Sequence, residues 1–220
     1  MTHIFFDLDG TLVDSFPGID FSARAALASV FPERLVPDFR PFIGPPVREV
    51  FRRALGDDDT EVLDRLEQAF RRSYDVEGWS RTLSYPGVGD VLAALSDLGL
   101  VCHVLTNKPK RPTHEILRHL SLDHYFGEVI SPDSRIPGYT SKTEAALDAR
   151  RRFGLSGPET LLVGDSTDDG AAAEACGFRF AATCFGYGNA YRDSRAIVHF
   201  RLERFADLLS IVGLPPPPSQ

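Results

Sequence analysis

Short apolar runs alternate with segments of helical period along most of the chain. The apolar runs contain few polar residues, which is typical of strands buried on both faces of a sheet, and they predict strands at residues 3–6, 100–105, 128–130, 160–163 and 178–183. Between and after these runs, apolar spacing predicts helices over residues 88–98, 109–119, 141–153, 168–176 and 202–212. Strands that alternate with helices predict an α/β fold with a doubly wound parallel sheet.

One long segment departs from this alternation. Between residues 16 and 83 no run has the character of a strand, and apolar spacing predicts helices at residues 19–30, 47–55 and 61–76. The acidic run just before the third helix suits its N-terminus, where negative charge is favourable. We therefore expect a helical domain at residues 16–83, inserted into an α/β core of residues 1–15 and 84–220. A helical insert beside a site-bearing strand end is typical of a cap or lid.

Composition indicates a globular protein and argues against two classes of partner. Hydrophobic residues make up 43% of the 220 residues, charged residues make up 25%, and the net charge is −7. This charge argues against a nucleic-acid polymer or a membrane surface as partner. With no apolar run long enough to span a membrane, no leader-like start and three cysteines without metal spacing, we expect a cytoplasmic monomer or homodimer. The prolines at residues 215–218 predict a polyproline-like tail.

Two acids stand at the end of the first predicted strand. Asp7 and Asp9 follow the apolar run directly, and Gly10 indicates that the chain turns there. Carboxylates crowded together need a cation or a shared proton, and Mg²⁺ suits an all-oxygen site. A calcium loop is excluded because Gly18 stands where that loop needs a glutamate. A plain turn would leave unexplained why a buried strand delivers both acids to the end where α/β sheets place their sites.

Later strand ends carry further polar groups. Thr106 and Asn107 follow the predicted strand at residues 100–105, where a hydroxyl and backbone amides can hold phosphate oxygens, although such a pair is also a common helix cap. Asp165 and Asp169 follow the predicted strand at residues 160–163. Acids at a helix start are often caps, but here a glycine and an apolar strand precede them.

In their order along the chain, these strand ends resemble the four motifs of the haloacid dehalogenase superfamily. Residues 7–12 read Asp-x-Asp-Gly-Thr-Leu, residues 106–109 read Thr-Asn-Lys-Pro, and residues 164–169 read Gly-Asp-x-x-x-Asp. The second motif is similar to that of the phosphoglycolate phosphatase-like branch. Residues 43–48 and 184–189 resemble that branch and the 5′-nucleotidase-like branch. The resemblance implies a Rossmann-like core with a small helical type-one cap.

The resemblance also implies roles for individual residues. Asp7 would be the nucleophile that takes the phosphoryl group, and Asp9 would be the general acid and base. Thr106 and Asn107 would bind the phosphate. The Mg²⁺ ligands would be Asp7, the backbone carbonyl of Asp9, Asp165, and Asp169 either directly or through water.

The lysine of the third motif has an unusual setting. The family commonly has Lys-Pro followed closely by another proline, whereas residues 136–144 read Ile-Pro-Gly-Tyr-Thr-Ser-Lys-Thr-Glu. Lys142 stands at a predicted helix start and falls between the second and fourth motifs, so we predict that it neutralises Asp7 and the bound phosphate. Lys108 and Lys110 are the other lysines of the chain and the alternatives for this role.

The loop before the second predicted helix is the expected source of substrate contacts from the cap. Gly44 lies in a rigid glycine-proline stretch, and Arg48 follows it at the helix start. Arg48 could bind a substrate carboxylate or phosphate, and a solvated helix arginine explains the pattern equally well.

Together these features predict a Mg²⁺-dependent phosphatase that hydrolyses a small phosphate monoester through an aspartyl-phosphate. The ester would be phosphoglycolate-like or a nucleotide monophosphate. One alternative is a phosphosugar mutase of the same superfamily, which would return the phosphoryl group to a sugar. Another is a binding or regulatory protein on this fold, although such proteins usually lack the nucleophile or a metal ligand, and Asp7, Asp9 and Asp165 are all present.

Overall fold

The central feature of the computed structural model, which describes residues 1–192 and 197–214, is a six-stranded parallel sheet. In chain order the strands are β1 (His3–Phe6), β2 (Val13–Asp14), β3 (Leu83–Ser84), β4 (Val101–Leu105), β5 (Phe126–Ile130), β6 (Thr160–Gly164), β7 (Arg179–Thr183) and β8 (Phe200–Leu202). The sheet order is β5-β4-β1-β6-β7-β8, and β2 pairs antiparallel with β3 apart from it. β1 is therefore central, with β4 and β6 as its neighbours.

Helices cover both faces of this sheet, which confirms the doubly wound α/β fold. The helices are α1 (Phe16–Val30), α2 (Val47–Leu55), α3 (Thr60–Tyr74), α4 (Val88–Asp97), α5 (Lys110–His119), α6 (Lys142–Phe153), α7 (Thr167–Cys176) and α8 (Leu208–Ile211). Because side chains alternate along a strand, Ile4 and Phe6 pack in the hydrophobic cluster that contains α4, α5 and α8, whereas Phe5 packs in the cluster that contains α6 and α7.

The inserted segment has a hydrophobic core of its own. Leu27 of α1, Phe51 of α2 and Phe70 of α3 are buried in one cluster. The acidic run caps α3 as expected, because the Asp59 carboxylate accepts hydrogen bonds from two backbone amides of the first turn. The strands β2 and β3 lead the chain into and out of this segment and pair with each other. This arrangement supports the proposed division into a core and a helical domain at residues 16–83.

The prediction of one helix over residues 202–212 is wrong. Leu202 ends β8, a 3₁₀ turn spans Phe205–Asp207, and only Leu208–Ile211 is α-helical. Phe200–Leu202 pairs in parallel with β7 instead. This pairing satisfies backbone groups that β7 would otherwise expose at the sheet edge. The short β2–β3 pair is also absent from the sequence-based prediction.

Cys102 and Cys176 are buried free thiols, and Cys184 is half-buried. The proline tail expected at residues 215–218 lies outside the described residues. Within residues 1–192 and 197–214, every helix is too short or too polar to traverse a lipid bilayer.

Candidate active site

The site lies where three adjacent strands end. The amide of Asp7 donates to Val163 of β6 at 2.9 Å, so the ladder between β1 and β6 continues one residue beyond β1. Thr106 follows β4, and Asp165 follows β6. Because neighbouring parallel strands end at the same edge of a sheet, the strand order β4-β1-β6 brings these residues together.

Three buried carboxylates form the centre of the site. One oxygen of each of Asp7, Asp165 and Asp169 lies within 4.8 Å of the others. Burial raises the pKa of Asp7 and of Asp165, and the neighbouring carboxylates add to the effect. Such a cluster favours a bound cation, because charges of one sign at this distance repel strongly in a dry environment.

The ammonium group of Lys142 contacts this cluster. Its Nζ lies 2.8 Å from Oδ1 of Asp7 and 2.7 Å from Oδ1 of Asp169, and only 3% of its side chain is exposed. Burial by itself would lower the pKa of Lys142, but the carboxylates of Asp169 and Asp7 reverse this and raise it. Lys142 is the first residue of α6, and Ser141 caps that helix by accepting from the Glu144 amide.

Asp169 uses both of its carboxylate oxygens inside the protein. Oδ1 accepts from Lys142, and Oδ2 accepts from the amide and hydroxyl of Ser166 at 3.0 and 2.6 Å. The Ser166 hydroxyl also accepts from the Asp169 amide, which completes a reciprocal cap of α7. These bonds hold the Asp169 carboxylate in the cluster and in contact with the ammonium group of Lys142.

Asp165 is held by main-chain groups. The amides of Tyr187 and Gly188 donate to its Oδ2 at 2.7 and 2.8 Å. Gly10 packs against the same oxygen: a Cβ built there would lie 2.1 Å from it, and the residue has φ +83°. Only glycine fits this position without displacing the carboxylate.

Asp9 lies beside this cluster and is bound by Lys108, whose Nζ contacts both carboxylate oxygens. The ammonium group lies 5.1 Å from the ring centre of Tyr74 on α3. Sequence reasoning considered Lys108 only as a rival of Lys142 and did not identify Tyr74. The lysine follows the second motif directly, which was the available signal, whereas a tyrosine in a distant helix gives none.

Two adjoining cavities extend from the site. A recess of about 130 Å³ is lined by Thr106, Asn107 and Lys142 among others. A cavity of about 440 Å³ lies between the inserted segment and the core, and it is lined on the core side by Asp9, Lys108 and Arg111. The insert lines the other side with apolar groups, including Ile43, Gly44, Val47 and Phe70, and with the charged residues Glu67, Arg71 and Asp75. Pro46 and Asn107 line both spaces.

The structure does not bring every predicted site residue to these cavities. Thr106 is buried and its hydroxyl accepts from the Lys108 amide at 3.1 Å, and Asn107 contacts Asp168 at 3.4 Å. Arg48 instead bonds to Asp64 within the inserted segment and does not line either cavity. The ion pair joins α2 to α3 inside the insert, so the Arg48 side chain is held away from the cavities.

Comparison with known proteins identifies a family and several similar structures. A family model for haloacid dehalogenase-like hydrolases matches residues 1–177. Phosphoglycolate phosphatase 1 of Pseudomonas aeruginosa is 33% identical over 216 residues, which cover 94% of this chain and 78% of that protein. The crystal structure of a predicted phosphoglycolate phosphatase from Haemophilus somnus is 28% identical with a TM-score of 0.84, covering 96% of this chain and 98% of that chain. A haloacid dehalogenase-like family protein from Streptococcus pneumoniae, at 23% identity and a TM-score of 0.86 over 96% and 98% of the two chains, is alike in fold.

Proposed function

The chain belongs to the haloacid dehalogenase-like hydrolase family, and we propose that it is a Mg²⁺-dependent phosphatase that hydrolyses a small phosphate monoester through an aspartyl-phosphate. The main support for this proposal is the excess negative charge of the buried cluster. Among the described residues, the carboxylates of Asp7, Asp165 and Asp169 have a single ion-pairing cation between them, Lys142. The ionised cluster would keep an excess of two negative charges, which a divalent cation offsets.

The donor set fits Mg²⁺, because it consists of oxygen atoms alone. Asp7, the backbone carbonyl of Asp9 and Asp165 would hold the ion, and Asp165 has Oδ1 for this purpose because both of its amide bonds end on Oδ2. Asp169 would contact the ion directly or through water, while its Oδ1 also accepts from Lys142. When bound, Mg²⁺ supplies positive charge that reduces the repulsion between the Asp7 carboxylate and an incoming phosphate.

The chain's own residues would carry the two chemical steps. An oxygen of Asp7 attacks phosphorus, the bond from phosphorus to the leaving oxygen breaks, and Asp9 gives that oxygen a proton. Asp9 then takes a proton from water as the water attacks the phosphoryl group and releases Asp7. Lys142 and Thr106 would hold the transferring oxygens throughout.

The cavities support a small substrate. The recess beside Thr106 and Lys142 suits the phosphoryl group, and the cavity of about 440 Å³ suits a leaving group of a few carbon atoms or a nucleoside. We propose phosphoglycolate-like esters first, because a relative named phosphoglycolate phosphatase aligns with 94% of the chain. Nucleotide monophosphates are the second class to test.

A screen of small phosphate esters tests the proposal. Phosphate release should require Mg²⁺, stop in excess chelator, and recover poorly with Ca²⁺, whose looser coordination misplaces the nucleophile. Asp7→Asn should abolish turnover, whereas Asp97→Asn, at the exposed end of α4, should not change it. Full hydrolysis in excess chelator would exclude the metal-dependent mechanism. Isomerisation of a sugar phosphate, primed by a bisphosphorylated sugar and without phosphate release, would indicate a mutase instead.

A further inference from the structure

The loop at residues 184–189 connects the acid cluster to the linkers of the inserted segment. Its main chain holds Asp165, because the amides of Tyr187 and Gly188 both donate to Oδ2 of that carboxylate. The reaction proposed above uses Asp165 as a metal ligand but does not use this loop. The sequence of this loop resembles that of the phosphoglycolate phosphatase-like and 5′-nucleotidase-like branches, but the proposed reaction gives it no role.

The side chain of Tyr187 reaches the first linker. Its hydroxyl donates to Oδ1 of Asp14 and accepts from the amide of Phe16 at 2.9 Å. The Phe16 amide also donates to Oδ1 of Asp14 at 3.1 Å. Asp14 ends β2 and Phe16 begins α1, so these three groups form a closed hydrogen-bonded triangle where the chain enters the insert. The Tyr187 ring packs against the hydrophobic cluster of that insert.

The same loop contacts the second linker. The ring of Phe185 meets the ring of Tyr85 edge-on, with 4.8 Å between the ring centres. Tyr85 directly follows β3, and β3 pairs with β2 through Asp14 and Leu83. Both chain segments that join the insert to the core therefore lie against one loop.

Close packing allows this loop little freedom to move independently of Asp165. A Cβ at Gly186 would lie 2.3 Å from the carbonyl oxygen of Gly10 and 2.5 Å from the Cβ of Asp165. A Cβ at Gly188 would lie 2.3 Å from the carbonyl oxygen of Asp165. Because not even a methyl group would fit at either glycine, the loop main chain packs directly against Asp165, and a shift of the Asp165 carboxylate should also shift the loop.

We propose that Tyr187 is a positioning residue that couples metal binding at Asp165 to the order of the first linker, and so to the placement of the insert over the site. The inference rests on the proposed use of Mg²⁺. A cation on Oδ1 fixes the Asp165 carboxylate, the carboxylate fixes the amides of Tyr187 and Gly188, and the Tyr187 hydroxyl fixes Asp14 and the Phe16 amide. Coupling of this kind is reciprocal. Removal of the Tyr187 hydroxyl should therefore weaken Mg²⁺ binding by the same factor by which it lowers the Mg²⁺-dependent protection of the linker amide from exchange.

Amide hydrogen exchange of the full-length protein tests this coupling without an activity measurement. In the wild type, Mg²⁺ should slow exchange of the Phe16 amide by about fivefold or more, in line with ordinary coupling energies. In Tyr187→Phe, which keeps both main-chain bonds to Asp165, Mg²⁺ should leave this exchange unchanged. Calorimetric titration should show Mg²⁺ binding weakened by the same factor.

Two further variants separate positioning from a general loss of structure. Asp14→Asn keeps an oxygen that can accept from both the hydroxyl and the Phe16 amide, so the Mg²⁺ response should persist. Tyr125→Phe removes a hydroxyl just before β5, at the opposite edge of the sheet, and should behave as the wild type. Asp14→Ala combined with Tyr187→Phe should be no worse than either single variant, because both break one linkage.

An equal Mg²⁺ response of the Phe16 amide in Tyr187→Phe and the wild type would overturn the coupling. So would Mg²⁺ binding to the wild type without any change at that amide. These results are distinct from a failure of the proposed function. Coupling with no ester hydrolysis would overturn only the reaction, and absence of Mg²⁺ binding would overturn both.

Discussion

The ammonium group of Lys108 lies 3.0 and 2.9 Å from the two carboxylate oxygens of Asp9, and only 7% of the lysine side chain is exposed. Burial alone would lower the pKa of Lys108, but Asp9 and Tyr74 raise it instead. Each Asp9 oxygen keeps a second lone pair that can hold a proton for a leaving group, so this ion pair is compatible with the proposed role of Asp9. Lys108 also lines the large cavity, where its ammonium group can contact a substrate as well as Asp9.

Substitution of the three lysines distinguishes their roles. Lys142→Ala should lower kcat by at least about 10²-fold, because it removes a stabiliser of charge on the transferring phosphoryl group. Lys108→Ala should change KM more than kcat, and Lys110→Ala, at an exposed position, should be near neutral. Steady-state kcat and KM of the three variants with one ester distinguish these roles. A severe loss in Lys108→Ala together with a mild one in Lys142→Ala would reverse the assignment.

Asp9→Asn separates the acid and base roles of Asp9 while keeping the size of the side chain. Alkyl phosphates need a proton on the leaving oxygen, so the first step should stall and no phosphoenzyme should accumulate. p-Nitrophenyl phosphate needs little acid help, so the variant should release a burst of about one nitrophenolate per site and then slow. Acid-quenched protein should then show a phosphoryl mass increase on the peptide that contains Asp7. A slow, steady rate without a burst from folded, metal-bound protein would contradict this division of roles.

Arg111 is a better candidate than Arg48 for contact with a charged leaving group. Arg111 lines the large cavity and, in residues 1–192 and 197–214, forms no ion pair, whereas Arg48 is bonded to Asp64. Arg111→Ala should raise KM about 3- to 10-fold for an ester with a carboxylate on its leaving group, which is the worth of an ordinary hydrogen bond at this exposed position. It should not affect p-nitrophenyl phosphate. Arg48→Ala should affect both esters alike, and a selective effect of Arg48→Ala would restore the sequence-based expectation.

His103 should lower the free energy of unfolding as the pH falls from 7 into the mildly acidic range. Burial lowers the pKa of His103 to about 4, and the neighbouring His3 and Arg152 add to this. The folded state therefore favours neutral histidine, while the unfolded chain takes up a proton near pH 6.5. Its contribution to stability is complete above about pH 6.5 and is lost progressively as the pH falls toward 4.

His103→Phe should remove that dependence, because the ring stacks between Phe5 and Phe153 at 4.9 and 4.8 Å and a phenyl group can do the same. Denaturant unfolding at pH 7 and pH 5 should show a fall in the wild type that exceeds the fall in the variant by on the order of 1 kcal/mol. Equal falls in the two proteins would mean that His103 is not the group responsible.

Local patterns along the chain were sufficient for the fold class and for much of the candidate site. Hydrophobic period separates strands from helices in most of the chain, because a strand buried on both faces and an amphipathic helix need different spacings. The proximity of Asp7, Thr106 and Asp165 also followed, since parallel strands end at one edge of a sheet and each residue directly follows a strand. Lys142 was likewise chosen from its order among the motifs, and it does contact Asp7.

Pairings between distant segments could not be read from local patterns. Residues 200–202 are a strand because the edge of β7 is free to pair with them, and helical spacing contains no information about that edge. Arg48 is drawn to Asp64, Lys108 to Asp9 and Tyr187 to Asp14. Each choice depends on which opposite charge or acceptor the folded chain brings within a few ångströms, and such distances are set by tertiary packing rather than by spacing along the sequence.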